Sequence, residues 1–110
     1  MSDKGCKMKK LILAAVFSVV SFNVSAELCG NLAHHAEVTM VSHQAGVSLA
    51  SALEIAADVY GEESEEYLGL RKMIIRAYSE PRYLTEERKK MMVNNFRDEI
   101  HVECLKGEFK

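Results

Sequence analysis

Residues 85–104, TEERKKMMVNNFRDEIHVEC, read as one helix that ends in a cysteine. Pro81 blocks continuation of whatever precedes it, because proline lacks the N–H and restricts the residue before it. Thr85 suits the N-cap, and Glu86 and Glu87 place negative charge on the positive end of the helix dipole. Glu86 and Lys90 form an i,i+4 pair in the favourable order. Met92, Phe96, Ile100 and Cys104 recur at four-residue steps with Val93 beside them, which makes one apolar stripe. Arg88, Lys89, Asn95, Asp98, Glu99 and Glu103 fall outside it. Cys104 is therefore predicted to face the core.

Its natural partner lies at the other end of the chain. Residues 7–26 carry three lysines, Lys7, Lys9 and Lys10, then the apolar run LILAAVFSVVSF, then Val24-Ser25-Ala26. That order is the pattern of a secretory signal peptide, with small residues where a signal peptidase cuts. The apolar run is shorter than the ~20 residues of a comfortable membrane span. Residues 1–26 are accordingly read as signal, with Met8 an alternative start, and Cys6 leaves with it. The mature part, residues 27–110, has 84 residues. This is one small helical domain, of a size that often needs a covalent staple. It holds two cysteines, Cys29 and Cys104, and an exported chain meets an oxidising compartment, so the pair is predicted to form a disulfide.

Between those cysteines the periodicity is helical and hairpin signals are missing. A first helix is expected over 28–44, with Leu28, Leu32, Ala36 and Met40 sharing a face with Cys29 and Ala33, and Gly46 breaking it. Ser51-Ala-Leu-Glu54 has the form of a capping box, which places a second helix over about 52–60 with Leu53, Ala56, Ala57 and Tyr60 inward. Ser64 caps a third that runs to about Ser79. Tyr67, Leu70, Ile74, Ala77 and Tyr78, extended by Leu68 and Ile75, give it so wide a stripe that it is predicted to be central. The fold class is all-α: a small four-helix bundle or orthogonal helical array stapled by one disulfide.

Charge is uneven. Residues 27–70 contain eight acids and neither Lys nor Arg, whereas residues 71–110 hold ten basic side chains against seven acids, leaving the mature part at −5. Such a balance speaks against nucleic acid as a partner. The AGVSLASALEIA segment has the outline of a helix-turn-helix, but its would-be recognition helix carries Glu54 and no basic residue for phosphate contact. Arg71 lies within the third helix's stripe, either reaching water or pairing with Glu54 or Asp58.

Candidate chemistry is sparse. His35 and His43 sit two turns apart, roughly 12 Å along the axis, too far to share one metal ion directly. No metal or cofactor is expected, and both histidines are candidates for pH sensing. No serine occupies a nucleophile turn and the mature cysteines are paired, so catalysis is not expected. Met91 and Met92 are adjacent, so one must face outward. Met91 beside Tyr83 is a candidate contact patch, since methionine suits adaptable surfaces.

The run AYSEPRYLTEERKKMMVNNFRDEIHVEC, residues 77–104, resembles small uncharacterised exported helical two-cysteine proteins of proteobacteria and their phages. In these a cysteine opens the first helix, and an Ala-Tyr…Pro-Arg…Thr-Glu elbow leads to a final helix ending in cysteine. The segment AGVSL, residues 45–49, fits the same pattern. The resemblance implies a fold and a periplasmic or secreted location. By architecture alone the chain is also similar to periplasmic acid-stress chaperones of the HdeA type. The expected function is a binding or interaction module of the cell envelope, phage- or prophage-derived, acting on an envelope protein as a monomer or homodimer. An acid- or stress-responsive chaperone is the alternative, and a metal-binding protein a further one.

Overall fold

The computed structural model describes residues 6–109, with side chains from residue 26 onward. The signal-peptide reading of 1–26, and the fate of Cys6, rest on side chains outside those described. Four helices follow in order: α1 Cys6–Ala45, α2 Leu49–Tyr60, α3 Glu65–Tyr78 and α4 Glu86–Leu105.

The first helix is longer than expected. No Pro or Gly interrupts the chain between Cys6 and Cys29, so α1 runs unbroken through the predicted cleavage point after Ala26. It stops at Gly46, whose φ of +96° suits glycine. A Cβ there would also lie 3.1 Å from the Arg82 guanidinium, which rests on this turn.

Ser48, not Ser51, caps α2: its hydroxyl accepts the Ser51 N–H at 3.1 Å, and the helix starts three residues earlier than the 52–60 reading. With α1 ending at Gly46, the serine directly after Val47 is reached first. Ser64 and Thr85 cap α3 and α4 as expected, accepting the N–H of Tyr67 and Arg88 respectively.

The central element is α1, not α3. Helix α4 lies antiparallel along it. Cys29 and Cys104 are joined at one end, with Cα atoms 5.5 Å apart, Glu37 faces Arg97 midway, and Ala45 and Glu86 line one hollow at the other end. Helix α3 crosses α1 in the same direction, from Glu65 near Leu28 to Tyr78 against His43. The core joins Ala36 and Met40 of α1 with Met73, Ile74 and Ala77 of α3 and Val93, Phe96 and Ile100 of α4. Met73 was missing from the expected α3 stripe, while Leu68 and Ile75, counted in it, are exposed. Leu70, Met73, Ile74 and Ala77 form the narrower i, i+3, i+4, i+7 stripe that one buried face needs. Leu28 likewise points outward, and Cys29 beside it is buried.

The turn between α3 and α4 is held from α1. The Gln44 amide donates to the Pro81 carbonyl at 2.9 Å, and its oxygen accepts the Tyr83 N–H at 2.8 Å. The His43 Nε2–H donates to the Glu80 carbonyl at 2.6 Å.

Candidate binding surface

Helix α2 is the odd element. Nine of its twelve residues are apolar, yet only Ala56 is buried. A helix with that composition is ordinarily enclosed. Here it packs on α3 by one side and leaves the other facing an open groove against α1. The groove has a volume of about 230 Å³. Its walls are two helical stripes of matching spacing, Val38, Thr39 and Ser42 on α1 and Ala52, Ile55, Ala56 and Val59 on α2, with Leu70 and Ile74 of α3 below. Val38 is 50% exposed, Ile55 61% and Val59 67%. Val47 closes one end and is fixed there by the Tyr78 hydroxyl, which donates to its carbonyl at 2.7 Å.

His35 and Tyr60 close the other end. The Tyr60 hydroxyl lies 3.2 Å from His35 Nε2, with the rings edge to face. Burial, and to a lesser degree the neighbouring His34, hold the His35 pKa below its ordinary value of 6.5. The unfolded chain therefore takes up that proton first. Stability due to His35 is complete above pH 6.5 and declines as pH falls from there to the lower folded-state value. Thermal melts from pH 7.5 down to 5.5 should show a falling midpoint that flattens in His35→Gln; equal slopes in the two proteins would remove His35 as the cause.

His43 plays a different part. It is buried, stacks 4.3 Å from the Tyr78 ring, and anchors the turn after α3. The structure therefore does not bring the two candidate pH-sensing histidines together: His35 sits on the groove rim and His43 in the core. Tyr83 and Met91 do meet, in a shallow hollow shared with Glu87, Arg88, Met92 and Asn95. Met91 is the outward methionine and Met92 packs on the core.

Arg71 is exposed, and among the described residues it pairs with neither Glu54 nor Asp58. The ion pairing falls instead to Arg76, which forks onto Glu103, at 2.6 Å for one bond, and also reaches Glu99 at 2.8 Å. The hydrogen bonds from Arg76 hold the Glu103 carboxyl below the usual range. Glu103 thus adds a second, more acidic step, lost as pH falls through that lowered value. Each partner is about a third or more exposed except Glu103, so solvent screens much of the gain. Sequence reasoning passed over Arg76, Gln44 and the groove.

Among the described residues no group of three His, Cys, Asp or Glu side chains could hold a metal ion, and no helix is long and apolar enough to cross a membrane. Fold and surface together define a disulfide-stapled all-α domain with an apolar groove between α1 and α2 open to solvent. Compared with protein-family models, curated proteins and solved structures, the chain finds no match.

Proposed function

We propose that this is an exported helical protein that acts by binding a protein of the cell envelope, with the groove between α1 and α2 as the contact. The observation that supports this reading is α2, whose Ile55 and Val59 are exposed along the groove. Exposed apolar area of this kind, rimmed by polar residues, is typical of surfaces that are covered in use. A disulfide between the chain ends, with no membrane-crossing helix among the described residues, is compatible with export. Phage or prophage origin rests on the family resemblance alone.

A photo-crosslinking amino acid placed at Val59, in cells secreting the protein, tests the reading. A discrete adduct from position 59 that is missing from a probe at Asp98, exposed on α4 and outside the groove, supports it. Identical products from both positions, or none, would overturn it.

The His35 shift favours a second reading, a chaperone that exposes more apolar surface in acid. Dye fluorescence that rises as pH falls below 6.5 would support it. A protein that stays closed to pH 2, with no rise, excludes it.

A further inference from the structure

We infer that the partner element seated in this groove is an amphipathic helix whose apolar face is bordered by lysine or arginine. The inference rests on the binding reading above and adds the chemistry of the occupant.

The groove runs between two helices, whose backbone groups are already paired within each helix. It offers no free edge to which a strand could add, so main-chain pairing is excluded and side chains must do the recognition. Helix α2 has twelve residues, about 18 Å at 1.5 Å per residue. That length accommodates three turns of a partner, with apolar anchors at i, i+3 or i+4, and i+7.

Charge selects among such helices. Apart from His35, no side chain lining the groove carries a charge. Its outer lip does. Glu54 and Asp58 are both exposed and form an i,i+4 stripe directly beside the exposed Ile55–Val59 stripe, and Glu62 and Glu63 continue the acidic edge past the end of α2. Residues 27–70 supply no Lys or Arg to neutralise them. The nearby guanidinium of Arg82 rests on Gly46, at the Val47 end. A second copy docking groove to groove would set acid stripe against acid stripe, and an anionic bilayer would meet the same repulsion. A basic-rimmed helix gains from both the apolar floor and the acidic lip.

Two synthetic helical peptides test this. Both carry leucine at i, i+3, i+4 and i+7; one has lysine at the remaining positions and the other glutamate. Fluorescence anisotropy against the disulfide-bonded protein is read at about 0.05 M and 0.15 M salt, where the screening length shortens from roughly 14 Å to 8 Å. The lysine peptide should bind at least about ten-fold more tightly than the glutamate peptide, with the ratio narrowing at the higher salt. Ile55→Asn and, separately, Val59→Asn should each weaken the lysine peptide several-fold; both side chains are exposed, and a melt confirms folding. The double variant Glu54→Gln, Asp58→Asn should erase most of the preference while apolar binding persists.

Equal affinity for the two peptides overturns the inference. So does lysine-peptide binding that ignores Ile55→Asn and Val59→Asn, since that is general attraction to acid. Self-association broken by Ile55→Asn would assign the groove to a second copy, and binding to phosphatidylglycerol vesicles would assign it to lipid; both overturn it. The crosslinking experiment separates the two levels. An adduct at position 59 on a segment without Lys or Arg keeps the binding function and removes the basic helix. Peptide preference without any cellular adduct does the reverse.

Discussion

Replacing Cys29 and Cys104 together by serine is expected to lower stability by about 4 kcal/mol, near the upper end of what one disulfide contributes. The crosslink spans 75 residues of sequence, nearly all of the predicted mature part. Closing a loop of that length removes about 4.5 kcal/mol of unfolded-chain entropy in the loop-closure model. Native-state costs point the same way, because Cys29 is 2% exposed and serine would put a hydroxyl among apolar neighbours. For a domain of this size the loss corresponds to a drop of about 20 °C in melting midpoint. Urea unfolding of the oxidised protein, the reduced protein and the double-serine variant checks it. Reduced and variant proteins should coincide within about 1 kcal/mol, the difference being the packing of two sulfurs. Oxidised and reduced proteins that unfold at the same urea concentration would mean that the helices hold together without the bond.

The position of that bond explains why it carries so much. Helix α4 meets α1 along its length but α2 meets α1 only thinly, across the groove. The bundle is therefore strong along the α1–α4 seam and open along the α1–α2 side. Fixing the far end of the seam leaves the thinly packed side free to stay exposed. Apolar surface at Val38, Ile55 and Val59 is tolerable in a small domain because the covalent tie, and not that surface, secures the ends.

Much of this architecture was legible in local chemistry. Ser64 and Thr85 were readable as caps because each is a hydroxyl residue directly before two acids, where dipole and capping agree. The disulfide was readable because the signal-like start of the sequence pointed to an oxidising compartment, where the two cysteines of the expected mature part would pair. Ser48 was harder, since Ser51 heads an equally good local pattern and only the position of the Gly46 turn decides between them. The groove was out of reach for a different reason. Periodicity identifies which residues of α2 are apolar, and only the packing of α1 and α3 decides which of those faces is covered. Arg76 shows the same limit: its partners Glu99 and Glu103 lie on another helix, at a separation that no local pattern encodes.

Gln44 was within reach and was passed over. It follows Ala36 and Met40 at four-residue steps, so it lies on the buried stripe of α1, and it is 2% exposed. A polar residue at such a place must find partners. It has two across the fold, the Pro81 carbonyl and the Tyr83 N–H, and these fix the turn that aims α4 along α1. Gln44→Ala removes both at once. Two backbone groups in a partly buried turn lose their partners, at about 1–3 kcal/mol for each one that water does not reach. A loss of about 2–3 kcal/mol is expected, with faster amide exchange at Tyr83, whose N–H is held by this side chain. Gln44→Glu separates the two bonds. The carboxylate still accepts from Tyr83 but turns an oxygen towards the Pro81 carbonyl, another acceptor. Burial and that opposing dipole raise the pKa of the introduced carboxyl above its unfolded value. Protonation then restores a donor, so the stability of this variant relative to the parent should improve as pH falls through the raised value, opposite in sign to the His35 effect. A Gln44→Ala protein within 0.5 kcal/mol of the parent in urea, by the roughly ±0.5 kcal/mol expected of neutral surface changes, with Tyr83 exchange unaltered, would show that the turn holds its shape without this side chain.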